Sequence, residues 1–272
     1  MKNMRLVLAL VAVLSFGFVF QASAFPTLNE GKNRVIFTGF ESGFDDSWNV
    51  VNGTVFAGVL KVKEIYNAAG TQTWESDSTT GYVSGLFMAQ IVNIAPGLYT
   101  LAAFDPTAYS SSIWDEVPDV FETVFGANTS QEVVKLFYTA ANPGITANEN
   151  GSYLSTIAAG TLWSTFGTTG ASSEYMYTQI TGNPFTNPDD IFGNFNFNLS
   201  GIQQGMASWG GWEGTQMIAS IGLTRIVTSD GNWQVDLGDR GIIYATPEPA
   251  TMVIMGAGLL GLFGLRRRQK NN

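Results

Sequence analysis

The chain has 272 residues with no Cys and no His, and it carries a net charge of −9 at neutral pH. Disulfides, thiolate nucleophiles, Cys-ligated zinc, iron–sulfur clusters and every Ser-His-Asp arrangement are thereby excluded. Six of the thirteen basic residues lie near the ends (Lys2, Arg5, Arg266, Arg267, Arg268, Lys270), so the stretch 25–245 is more acidic still and repels phosphate backbones; nucleic acid is not an expected partner.

Residues 1–24 read as a secretory signal peptide. Lys2 and Arg5 supply the charged start, Leu6 to Phe20 the apolar run, and Ala22-Ser23-Ala24 the small-residue site at which signal peptidase would cut before Phe25. An exported chain without Cys must draw its stability from core burial.

Residues 25–245 form one acidic domain of short apolar or alternating runs broken by Gly, Asn, Asp, Thr and Ser, which is the pattern of a mainly β protein. Leu60-Lys61-Val62-Lys63 alternates with its lysines outward. Half-buried alternation argues for antiparallel pairing, because strands covered on both faces read as continuous apolar runs. The fold expected is an antiparallel β-sandwich of jelly-roll type. A helical excursion is predicted over 118–141. A short turn of helix runs from Asp119 through Phe125, and Thr129-Ser130-Gln131-Glu132 then fits a capping box followed by Val133, Leu136, Phe137 and Ala140 at helical spacing.

Further along, Asn187-Pro188-Asp189-Asp190, followed by Asn194, is the most loop-like and oxygen-rich of the carboxylate pairs. Hard cations take carboxylate and carbonyl oxygens, so Asp189, Asp190 and Asn194 are candidate calcium ligands, although no EF-hand or nonapeptide pattern is present. Asp230, Asn232, Asp236 and Asp239 form a second acidic cluster. No other cofactor is expected. Asn194 to Leu199 alternates strictly, with Phe195, Phe197 and Leu199 on one face and three asparagines on the other, which predicts a strand buried on one side. Trp209-Gly210-Gly211-Trp212 sets two rings on a Gly-rich segment; exposed rings of this kind stack on sugars, so Trp209 and Trp212 are candidate glycan-binding residues. Asp230-Gly231 between Ile221–Val227 and the alternating run from Trp233 predicts a hairpin.

The acidic residues offer no motif that selects a catalytic pair, and with His and Cys both absent no catalytic residues are assigned and the domain is read as non-catalytic. A carboxylate glycosidase is the enzymatic alternative, since that chemistry needs no His.

The last segment, 246–272, has three parts in fixed order: Pro247-Glu248-Pro249, the apolar stretch Ala250–Leu265, and Arg266-Arg267-Arg268. The prolines hold an extended stretch that a protease can enter. As a helix, 250–265 would span about 24 Å, short of the roughly 30 Å of a bilayer core, which suits a temporary transmembrane stop; the arginines favour the cytoplasmic side. In this ordered combination the tail resembles the PEP-CTERM sorting region. The resemblance implies recognition and cleavage by the membrane enzyme exosortase and delivery to the cell surface or extracellular matrix of a Gram-negative bacterium, in association with exopolysaccharide. The domain between the two end signals is accordingly read as a surface or matrix protein whose own work is structural or adhesive. A glycan-binding module, with or without calcium, is the alternative.

Overall fold

The computed structural model describes residues 26, 28, 31–44, 52–107, 117–126, 131–146, 151–181, 192–203, 216–227 and 233–245. Eleven strands and two short helices follow in chain order: β1 (Gly31–Phe44), β2 (Val55–Tyr66), β3 (Gln72–Glu75), β4 (Tyr82–Ala95), β5 (Leu98–Ala103), α1 (Asp119–Phe125), β6 (Glu132–Thr139), α2 (Tyr153–Ala158), β7 (Thr161–Gly167), β8 (Tyr175–Thr181), β9 (Phe192–Gln203), β10 (Gln216–Val227) and β11 (Trp233–Ala245). The protein is mainly β, and every strand pairing among the described residues is antiparallel, as the alternating runs predict.

The pairings close on themselves. From β2 the path runs through β1, β11, β10 and β9, then through β7 and β6 to β4, which pairs back onto β2. Between β4 and β9 the wall forks, because β5 and β8 make a second bridge alongside β6 and β7. Such closure satisfies strand edges that would otherwise template aggregation. A closed antiparallel wall of this kind is compatible with the expected sandwich.

Two cores follow from the pleat. Residues of all eleven strands point inward, among them Phe37, Leu60, Phe87, Leu136, Trp163, Phe166, Phe197 and Met217, and form the principal core. Residues of the opposite parity on β2, β4 and β6 (Val55, Ala57, Val59, Leu86, Met88, Phe137) point outward, where Phe121 and Phe125 of α1 and Leu154 and Ile157 of α2 cover them. That second layer explains why β2 and β4 are buried on both faces over 55–60 and 83–89, whereas on β9 Phe195 and Phe197 are buried while Asn194 is exposed and Asn196 half-buried. On β2 the predicted alternation holds, with Lys63 exposed beside buried Val62.

The helical excursion is corrected in its second half. Asp119–Phe125 is helical, with Asp119 and Glu122 in its first turn where carboxylates complement the helix dipole, but Glu132–Thr139 is a strand. Register shifts at Glu132/Val134 and Leu136/Phe137 break the two-residue period of β6. With one face in the principal core and Phe137 under the helices, its burial reads in pairs and imitates helical spacing. The capping glutamate pairs instead with Lys135 at 2.9 Å, and that ammonium also donates to the Val124 carbonyl at 2.7 Å, tying β6 to the end of α1. Thr129 lies outside the described residues.

The predicted hairpin is present: β10 and β11 pair from Val227↔Trp233 to Gln216↔Tyr244. Its turn lies outside the described residues. The final pair of β1 with β11 is Gly31↔Ala245, so the start and the end of the folded wall leave from one pole.

Candidate functional site

The outer face of the second bridge is not covered by either helix. On β5, Tyr99, Leu101 and Ala103 turn toward the principal core, which leaves Leu98, Thr100 and Ala102 outside. The register carries that parity across the wall: Thr100 lies opposite Tyr177 and Leu98 opposite Gln179, and on the other side Tyr175, Tyr177 and Gln179 lie opposite Asn198, Asn196 and Asn194. Met176 on β8 and Phe195 and Phe197 on β9 point inward. The outer surface is thus a row of two tyrosines and a glutamine set between a threonine and a ladder of asparagines.

Tyr175 is 43% exposed, one of few large apolar side chains so open among the described residues. Its ring lies 5.6 Å from that of Tyr177, tilted by 34°, so the two present one continuous aromatic surface. A groove of about 530 Å³ runs along them, floored by Leu98, Thr100 and Ala102 and closed at one end by Thr168 and Glu174. Asn194 and Gln179 are exposed and Asn196 half-buried. The Asn196 side-chain amide donates to the Asn194 carbonyl at 3.3 Å, which holds it in place.

The groove's end wall is built by one carboxylate. Glu174 accepts hydrogen bonds from the backbone amides of Thr169 (2.6 Å), Gly170 (2.9 Å) and Ala171 (3.2 Å) and from the Thr169 hydroxyl (2.7 Å). Gly170 has φ +87°, a conformation that side chains disfavour, and this curls the amides around the carboxylate. Burial pushes the Glu174 pKa up, but the hydrogen bonds from Ser200, Thr169 and Gly170 outweigh it and hold the group below its ordinary value. The adjacent Ser173 carbonyl accepts from the Asn198 side chain at 2.8 Å, so the 168–174 turn is clamped onto β9 and Asn198 is buried beneath it. Glu174 is therefore a fixed anion that shapes the turn, unsuited to donate a proton at neutral pH.

Of the candidates read from the sequence, Asn194 belongs to this face, paired in β9 with Gly222 and Gln179. Asp189 and Asp190 lie outside the described residues, as do Trp209 and Trp212, Ala22 and Ala24, and the tail from Thr246 onward. Asp236 and Asp239 are in β11, paired with Phe40 and Phe37 of β1. Among the described residues no group of three or more carboxylates is gathered to hold a metal ion. Trp74 and Trp163 are core residues. No helix among the described residues is long and apolar enough to cross a membrane, and the stretch 250–265 is not among them.

The tyrosine face was not singled out by sequence reasoning. Its signal was present, since Tyr175-Met176-Tyr177-Thr178-Gln179 alternates with the same period as the asparagine strand, but the sequence does not state that β8 and β9 are neighbours.

No curated protein and no solved structure is detectably similar to this chain. Residues 245–268 match the family described as the PEP-CTERM protein-sorting motif. The match begins at the residue where β11 ends and takes in Pro247, Glu248, Pro249, the apolar stretch and Arg266, Arg267 and Arg268, the parts and the order on which the resemblance rested. The chain therefore carries at its C-terminal tail the PEP-CTERM motif of proteins sorted by exosortase for export to the cell envelope or surface.

Proposed function

We propose that the 25–245 domain is a non-catalytic structural or adhesive component of the bacterial surface, delivered there by its tail and working in association with exopolysaccharide. Signal peptidase would remove 1–24, and the apolar stretch 250–265 would hold the chain in the inner membrane of a Gram-negative cell only until exosortase cuts near Pro247-Glu248-Pro249.

The observation that carries this reading is the sorting motif joined directly to the last strand of a closed wall. Because Gly31 and Ala245 are partners, both chain ends leave at one pole, and a domain tethered there keeps the rest of its surface free. The absence of His and Cys, and the fixing of Glu174 as a structural anion, support a role in contact rather than in turnover.

Mass spectrometry of the protein recovered from the surface fraction of its host tests the proposal. The expected product begins at Phe25 and ends before Ala250. Recovery of a chain that still contains Leu265 and the arginines after it overturns the processing step, and recovery from the cytosol overturns the localisation.

A further inference from the structure

We infer that the outer face of β8, centred on Tyr175 and Tyr177 and flanked by Thr100, Gln179, Asn194 and Asn196, is a binding platform for a neutral polysaccharide. The inference deepens the adhesive reading above by naming its ligand and site, and rests on that reading only for where the ligand is met.

The backbone of this face has little to offer a partner. Tyr177 and Gln179 are each paired on both sides, with Thr100 and Leu98 of β5 and with Asn196 and Asn194 of β9. Over Tyr177 and Gln179 a peptide therefore cannot add as a further strand, and whatever binds there must be read by side chains from above. Those side chains are of two kinds. The Tyr175 and Tyr177 rings form one apolar surface, suited to the C–H face of a pyranose, which meets the negative face of an aromatic ring. Around them stand uncharged groups that both donate and accept: the carboxamides of Gln179, Asn194 and Asn196 and the hydroxyl of Thr100. Sugar hydroxyls, which are themselves donors and acceptors, match that rim without an ion having to be buried.

Charge narrows the ligand further. No cation lies among the described side chains of the groove, and the charge at its end is the carboxylate of Glu174. A uronic or sulfated polymer would meet that anion and the acidic chain as a whole, whereas a neutral polymer pays no such penalty. The groove is open to solvent rather than enclosed, so a polymer can lie against the tyrosine rings without threading into a cavity.

Affinity electrophoresis of the full-length chain in detergent, through gels containing dextran, mannan, xylan, mixed-linkage β-glucan or alginate, tests the inference. The expected result is retardation by one or more of the neutral polymers and none by alginate. The double variant Y175A/Y177A should weaken the retarding interaction by about tenfold or more, and Tyr175→Phe, which keeps the ring, should retain most of it. An unchanged far-UV spectrum and melting temperature in Tyr175→Phe and in the single variant Gln179→Ala, itself expected to weaken binding, separate loss of a contact from loss of fold. No retardation by any neutral polymer, equal retardation of the double variant, or retardation by alginate alone overturns the inference. A platform that fails in a correctly sorted protein leaves the surface role standing, and a platform that binds in a protein never sorted leaves the site standing.

Discussion

The indole Nε1 of Trp163 donates a 3.2 Å hydrogen bond to the carbonyl of Pro26, 137 residues earlier in the chain. Trp163 is 1% exposed, and Leu28 joins the same core, so the segment just after the expected leader is part of the fold rather than a loose end. Trp163→Phe keeps most of the ring but leaves the Pro26 carbonyl without this donor. A loss of about 1–2 kcal/mol is expected in urea unfolding, and an unchanged midpoint would mean that the bond contributes nothing.

Close approach of β1 and β2 requires small residues. A Cβ at Gly58 would lie 2.3 Å from the Phe40 carbonyl oxygen and 2.4 Å from the Phe87 ring. Backbone cannot retreat as a flexible side-chain tip can, so Gly58→Ala must spread the two strands and displace a core phenylalanine. Destabilisation of about 2–3 kcal/mol is expected. Equal thermal melting of variant and parent would show that the wall yields there without strain.

Acid stability should depend on Glu174. Its folded pKa lies below its ordinary value of 4.5, with the hydrogen bonds from Ser200, Thr169 and Gly170 outweighing the upward push of burial. The linkage sign follows from a depressed carboxyl: the contribution is complete above the unfolded value and is lost as pH falls through the folded one. Glu174→Gln should therefore lower the melting temperature at pH 7 by a few degrees and flatten its decline below about pH 4.5. A variant with the same acid limb as the parent would assign that limb to other carboxylates. Asp77 is the first to test, since hydrogen bonds from the Thr80 amide, the Thr79 amide and the Thr80 hydroxyl lower its pKa as well.

Local pattern was legible where one face of a strand meets water. Phe195, Phe197 and Leu199 are buried and the asparagines share the opposite face, as alternation predicts, except that Asn198 is buried where its side chain donates to the Ser173 carbonyl, and the β10–β11 hairpin stands where Asp230-Gly231 marks a turn. Legibility failed where a strand is covered on both sides and bulged. In β6, apolar residues answer to two different cores, and Val133, Leu136 and Phe137 imitate a helix for that reason. The tyrosine face was hidden for another reason: Tyr177 and Asn196 are adjacent only through pairing across a gap of ten undescribed residues, and neither strand alone makes a platform. The tail needed no fold to be read, because a proline motif, an apolar run and a basic cluster act in order along the chain.

The tail also yields the most direct prediction. Pairing of β11 runs through Ala245, and Thr246 alone separates it from Pro247, so the processing enzyme must work close against the pole where Gly31 and Ala245 meet. Substituting Pro247, Glu248 and Pro249 together by alanine removes the extended segment that the prolines enforce and lets the apolar stretch propagate as helix toward the wall. The folded domain makes its pairings upstream of that point, so its melting temperature should not change. Processing, in contrast, should stop: the variant should be retained in the membrane fraction with Arg266, Arg267 and Arg268 still attached, while the parent chain reaches the surface without them. Intact-mass measurement of both fractions reads the outcome directly. A variant released and trimmed like its parent would show that the apolar run and the arginines suffice, and that the proline motif is not what the enzyme recognises.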